Sequence, residues 1–304
     1  MNTHRLLVAC LAVLTLAAPA ACVETKLTTV DAGNTHPSWH RGSGYIAYET
    51  DRNYDVTNIR YMSEPSRWDT WVTQDPTLAS GDPCWDDSRT YCFYQRADGS
   101  GRNAIWGKDP SIAFPVDYSS PGSGHDRAPA FLAGAGFVLH SSRSGDDEVC
   151  WMSEGGEGGG FTELTANASQ DRYPCWSPDG NWVAFASDRS GDWDIWVMSA
   201  AGEADTVWQL TADAADESGP DWSPSGEFVA FHRSGSGIIA VDVASRTEHQ
   251  VTVDGTDAWP SWSGSGDRIA FARGTAVAHI WMTDNVPTSG VESVSWGRLK
   301  ALFR

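Results

Sequence analysis

A tryptophan phrase returns along the chain at a nearly constant interval, and no other feature constrains the fold as much. "PCWSPDGNWVAFASDRSG" contains Trp176, "GPDWSPSGEFVAFHRSG" contains Trp222 and "WPSWSGSGDRIAFARG" contains Trp262. Upstream, "HPSWHRGSGYIAYETDR" carries Trp39, "DPCWDDSRTYCFYQR" carries Trp85, and "APAFLAGAGFVLHSSRSG" has Phe131 in the same slot. Successive anchors stand 46, 46, 45, 46 and 40 residues apart. A period of this length marks a repeat architecture, in which each unit buries its apolar face against the next.

Within a unit the pattern is that of four short strands. Pro-x-Trp opens an inner strand, and Ser-Pro-Asp-Gly supplies the proline and glycine a tight turn needs. "WVAFAS" alternates and is rich in strand formers, "DIWVM" is a third strand and "VWQLT" a fourth. The density of glycine, proline and β-branched residues excludes a helical repeat of similar period. Four-stranded units of this size stack radially, leaving only short protected edges. The expected fold class is therefore all-β: a six-bladed β-propeller of four-stranded antiparallel blades.

Closure is legible as well. The fourth strand ends in Leu-Thr 11 residues before an anchor, with Thr165 preceding Trp176 and Thr211 preceding Trp222. Thr28 stands 11 residues before Trp39, and no Leu-Thr follows the last unit. The segment 24–29 is thus expected to supply the outer strand of the sixth blade.

With these phrases in view, the repeat resembles that of TolB-like propellers, a WD-like family of exported bacterial proteins. The likeness covers roughly residues 24–285 and is clearest in units four to six. It implies a propeller over residues 22–285, after a leader at 1–21 and before a tail at 286–304. It also implies a protein-binding role at the cell envelope. TolB carries a preceding α/β domain that docks other envelope proteins; here the repeats begin almost directly after the leader, so that docking role does not transfer.

The leader is read from the residues themselves. "MNTHRLLVACLAVLTLAAPAAC" has a basic start, an apolar run too short to span a bilayer, and small residues up to Cys22. "PAAC" resembles a lipobox with Pro19 in the usual aliphatic place, which makes Cys22 the expected lipidation site and free secretion the alternative. The remainder is strongly acidic: the whole chain carries 21 Lys+Arg against 40 Asp+Glu, a formal charge of −19. That balance excludes nucleic acid as a partner, since phosphate binding needs clustered cations. Cys84, Cys92, Cys150 and Cys175 match no zinc spacing and read as buried thiols, with three pairings open to an exported chain.

The acidic residues fall in two loop sets that share one propeller face. Asp126, Asp171, Glu217 and Asp257 stand five residues before their anchors, and Arg52, Arg143, Arg189, Arg233 and Arg273 lie in the second hairpin of a unit. Arginine opposite carboxylate, repeated around a ring, predicts inter-loop braces on the channel face. The sharper alternative is calcium, with Asp51, Asn53 and Asp55 or Asp188, Asp192 and Asp194 at alternating positions, although the glycine and distal glutamate of an EF-hand are missing. No nucleophile elbow, zincin or Walker pattern occurs, so no catalytic residue and no obligatory cofactor is expected. His140 and His232 read as satisfied strand histidines.

The reading that results is a non-catalytic scaffold that binds envelope proteins and is tethered to the membrane through an N-terminal lipid. A metal-dependent hydrolase or lyase at the channel mouth is one alternative. A carbohydrate binder using Trp68, Trp71, Trp193 and Trp259 is another. Two long loops, 108–124 and 153–161, read as an irregular excursion and a flexible hairpin tip. In the tail, Trp296, Leu299 and Phe303 would share one face of a short helix carrying Arg298, Lys300 and Arg304.

Overall fold

The computed structural model describes residues 23–29, 32–52, 56–64, 68–87, 91–109, 115–119, 124–275 and 277–287. Six four-stranded antiparallel sheets are arranged as the blades of a propeller. After β1 (Glu24–Lys26), blade one comprises β2 (Asn34–Trp39), β3 (Tyr45–Thr50), β4 (Asn58–Ser63) and β5 (Asp69–Trp71). Blade two is β6 (Ser80–Asp86), β7 (Tyr91–Ala97), β8 (Asn103–Lys108) and β9 (Val116–Asp117). Blade three is β10 (Asp126–Leu132), β11 (Gly136–Ser141), β12 (Glu148–Met152) and β13 (Phe161–Glu163). Blade four is β14 (Asp171–Trp176), β15 (Trp182–Ser187), β16 (Asp194–Ser199) and β17 (Val207–Gln209). Blade five is β18 (Glu217–Trp222), β19 (Phe228–Arg233), β20 (Gly237–Asp242) and β21 (Glu248–Gln250). Blade six takes β22 (Asp257–Trp262), β23 (Ile269–Arg273) and β24 (His279–Thr283), and β1 completes it.

Each anchor lies at the end of its inner strand or one residue before it, and in blades four to six it leads into the turn that sequence patterning placed there. In blade four the Gly180 N–H donates to the Ser177 carbonyl at 3.0 Å, with Gly180 at φ +69°, a conformation that favours glycine. Trp39, Trp85, Trp176, Trp222 and Trp262 are buried between blades. Phe131 is half-buried and packs against Phe93 and Phe137, with ring centroids 4.8 and 4.9 Å away.

The Leu-Thr signature has a six-fold structural counterpart. At the end of each outer strand, a Thr or Ser hydroxyl accepts an N–H from the third strand. Thr73 accepts from Ile59 (2.8 Å), Ser119 from Ile105 (2.9 Å), Thr165 from Val149 (2.8 Å) and Thr211 from Ile195 (2.9 Å). Thr252 accepts from Ile238 (3.0 Å), and Thr28 from Ile280 (3.0 Å). The residue before each one donates its own N–H to the same third-strand residue, as Leu27 does to Ile280 at 2.8 Å. Pairing between β1 and β24 therefore extends through Thr28, and the N-terminal segment closes the ring.

Two segments expected to be irregular or flexible carry ordered contacts, the second of them as the expected hairpin tip between β12 and β13. The stretch 108–124 contains the outer strand β9, and Tyr118 and Ser119 make the same closing contacts as Leu-Thr does elsewhere. The tip 153–161 holds a 3-10 turn at Glu157–Gly159, and the Glu157 N–H donates to the Tyr118 carbonyl at 2.9 Å. Both segments lacked a repeat signal because their glycines and prolines mask a short strand pairing. Cys22, Asn53, Asp55 and residues 288–304 of the tail lie outside the described residues.

Candidate functional site in the axial channel

Every inner strand carries a register shift at the same place, three residues before its anchor. The six residues there have positive φ: His36 46°, Asp82 46°, Ala128 46°, Tyr173 53°, Gly219 63° and Trp259 56°. A proline follows each of them. A bulge bends its strand and re-aims a side chain, and these six residues meet around an axial cavity of about 150 Å³. The backbone repeats six times while the side chain differs in every blade, so the bulge ring gives the cavity its chemical character.

Trp259 closes much of that space. Its ring lies 4.0 Å from His36, 4.8 Å from Tyr173 and 5.0 Å from His232, measured between centroids. Gly219 permits this, because a Cβ there would come within 2.8 Å of the indole. His36 also bridges two carboxylates, with Nδ1 3.1 Å from Glu49 and Nε2 3.3 Å from Asp82. The Asp82 N–H donates to Glu49 at 2.6 Å and Thr35 Oγ1 to the other Glu49 oxygen at 3.1 Å, which holds the acid in place. Burial alone would lower the His36 imidazole, but Glu49 and then Asp82 outweigh it and raise it to about 9. Burial also pushes Asp82 up to about 6, with Glu49 adding to the rise against His36, whereas the His36 contacts hold Glu49 below its usual value despite burial.

Toward the anchors, the next ring down stitches neighbouring blades together. The Trp39 N–H donates to Ser261 Oγ at 2.9 Å and the Trp262 N–H to Asp221 at 2.7 Å. Cys84 and Cys175 occupy the equivalent positions and take backbone hydrogen bonds from Phe131 and Trp222. Burial raises all four body thiols, which are free, so they behave as packing groups rather than nucleophiles.

The profile of the TolB beta propeller domain matches residues 116–291. The chain belongs to the TolB β-propeller family. Putative TolB from Agrobacterium tumefaciens has a TM-score of 0.64 at 17% identity, covering 86% of this chain and 98% of that one. TolB from Acinetobacter baumannii gives 0.58 at 16% identity, covering 84% of this chain and 56% of that one. Oligogalacturonate lyase from Vibrio parahaemolyticus also gives 0.58, at 12% identity over 86% and 93%. Identities this low show a shared fold. Comparison with curated protein sequences finds no match.

In this TolB propeller the expected acidic and basic ring resolves into separate braces. Arg143 pairs with Asp126 (2.6 Å) and Glu157 (2.9 Å), and Arg189 with Asp171 (2.7 Å) and Glu203 (3.0 Å). Arg233 pairs with Glu217 and Glu248 (both 2.6 Å), and Arg273 with Asp257 (2.5 Å) and Glu24 (2.6 Å). Arg52 reaches Asp69 at 3.4 Å. None of these nine expected ring residues lines the axial cavity. The Arg233 and Arg273 braces join the inner strand of a blade to its outer strand, and the Arg143 and Arg189 braces join the inner strand to the turn before the outer one. Three of these guanidinium groups lie over an aromatic of the outer half of the blade. Arg143 covers Phe161, Arg189 covers Trp196 and Arg273 covers Trp281, at 4.0, 5.0 and 4.9 Å. The brace of blade six depends on Glu24, so it also fastens the closure.

Of the calcium candidates, Asn53 and Asp55 lie outside the described residues, and among the described ones Asp188, Asp192 and Asp194 form no three-ligand group. Asp51 accepts the Gly33 N–H at 2.7 Å and Asp188 the Gln170 N–H at 2.8 Å. Asp194 is bound by Ser190 Oγ (2.5 Å) and Gln209 (2.8 Å), with Asp192 beside it. Among the described residues, the one group of three or more metal-type ligands is His36, Glu49 and Asp82. Sequence reading missed it because Asp82 comes from another blade. The available signal was the residue preceding each of the six prolines. Of the four loop tryptophans, Trp259 fills the channel, Trp193 lies under Arg172 (5.1 Å), Trp71 under Arg60 (4.2 Å), and Trp68 is 48% exposed.

His140 supports the cavity wall in its neutral form. Its Nδ1 accepts the Tyr173 N–H at 3.4 Å. Burial lowers its pKa to about 3 against the pull of Asp147, with Arg127 and Arg172 lowering it further. A depressed histidine contributes stability that is complete above about 6.5 and is lost as pH falls toward the folded value. Between pH 6.5 and 4.5 this amounts to about 2–3 kcal/mol. Denaturant titrations of His140→Gln should show a pH dependence shallower by that amount; an unchanged slope would refute the neutral assignment.

Proposed function

We propose that this TolB-family chain is an exported, membrane-tethered scaffold that binds protein partners at the bacterial envelope through the face around the axial mouth. The supporting observation is how the cavity's reactive groups are engaged. His36 is taken up by Glu49 and Asp82, His140 by the Tyr173 N–H, and Trp259 packs on His36, Tyr173 and His232. General-base chemistry needs a side chain near its working pKa and within reach of substrate. Burial holds His140 at about 3 and His232 at about 4, so neither suits that task near neutrality. A channel whose imidazoles are engaged by neighbouring groups suits recognition rather than proton transfer. Export rests on the leader over residues 1–21 and tethering on Cys22.

Arg127 and Arg172, the second residues of β10 and β14, stand half-exposed beside the bulge ring on an otherwise acidic protein. A photo-cross-linking residue at either position, in cells carrying the full chain, should give a discrete protein adduct. The same residue at Val253, 82% exposed in the loop between β21 and β22, should give none. Adducts from Val253 alone, or from no position, would overturn the proposal.

A further inference from the structure

We infer that His36, Glu49 and Asp82 form a binding site for a divalent cation of borderline character, with zinc as its natural probe. The inference goes beyond the scaffold reading and stands without it. One ligand atom from each residue lies within 4.8 Å of the others; His36 and Asp82 line the axial cavity, and Glu49 is buried beside them. Structural and catalytic zinc sites use imidazole and carboxylate ligands at about 2.0–2.2 Å. Neighbouring ligand atoms around such an ion are therefore roughly 3–3.5 Å apart. The His36–Glu49 separation of 3.1 Å already has that spacing. Glu49 and Asp82 now face different nitrogens of the ring, so in the zinc-bound form the imidazole would have to turn until one nitrogen faces both carboxylates.

The backbone prepares this arrangement from two blades. His36 and Asp82 both sit at bulge positions with φ 46°, each locked ahead by Pro37 or Pro83. Glu49 enters from the adjoining strand, paired in register with Thr35. Gly81 leaves room for it, since a Cβ there would come within 2.8 Å of a Glu49 oxygen. The Thr35 hydroxyl and the Asp82 N–H orient that carboxylate, as outer partners orient ligands in metal sites. Two carboxylates match the charge of a divalent ion, and the imidazole selects zinc-like ions over calcium and magnesium, which take oxygen ligands. The cavity of about 150 Å³ leaves space for water or a partner's donor in the remaining positions.

The test is calorimetric titration of the chelator-stripped full chain with zinc chloride and, separately, calcium chloride. One zinc per chain is expected, bound at least tenfold more tightly than calcium. Glu49→Gln and Asp82→Asn should each weaken zinc at least tenfold, and His36→Gln should erase the preference over calcium. Metal-free melting of each variant checks that it folds. Should a variant not fold, the rise in wild-type melting temperature with zinc but not with calcium carries the test. No zinc binding, zinc binding unchanged in the folded variants, or calcium bound more tightly than zinc would each overturn the site.

Discussion

Removing residues 23–29 is expected to abolish the single cooperative unfolding transition of the propeller. That segment pairs Glu24, Thr25 and Lys26 with Thr283, Met282 and Trp281, and buries Leu27 in a cluster with Trp39, Ile46 and Ile280. Losing Leu27 alone forfeits about 2 kcal/mol of burial. The Ile280 N–H loses its partner at Thr28, a cost of about 1–3 kcal/mol for a buried donor. Arg273 loses Glu24 as well. More important than the sum is that an opened ring exposes both sixth-blade and first-blade surfaces, so the remaining blades lose their mutual support. Calorimetry should show a broad, low-temperature transition. A melting temperature equal to that of the full chain would disprove closure by this strand.

Trp222→Ala should be the most damaging single substitution among the anchors. Trp222 is fully buried, packed with Cys175, Trp182, Val229 and Phe231 between blades four and five. Truncating a buried tryptophan costs about 3–5 kcal/mol, because the cavity it leaves relaxes only partly. In a domain of this size that lowers Tm by roughly 6–15 °C. Phe131→Ala, at the half-buried equivalent, should cost clearly less. Chemical denaturation of both variants decides the matter. Equal losses would mean that burial of the anchor does not govern blade-to-blade packing.

The repeat, its phase, the anchors and the closing strand were legible because each depends on residues close together in the chain. A turn needs its proline and glycine within four positions, and a strand shows its alternation within six. The Leu-Thr signature was visible in only three places, since Val72-Thr73, Tyr118-Ser119 and Val251-Thr252 vary its first member and Ser119 its second as well. The geometry accepts any apolar residue there, followed by a hydroxyl.

The candidate site was not legible, and the reason is physical. Loop carboxylates such as Asp188 and Asp194 look like ligands in sequence, yet local amides and hydroxyls satisfy them. His36, Asp82, Tyr173 and Trp259 are spread over four blades and meet only because six inner strands converge on one axis. The chain alone determined that there would be six blades, where each begins and which strand seals the last. Only tertiary structure decided what faces the axis: short-range patterning sets strands and turns, whereas the channel's chemistry arises from side chains that closure of the ring brings together.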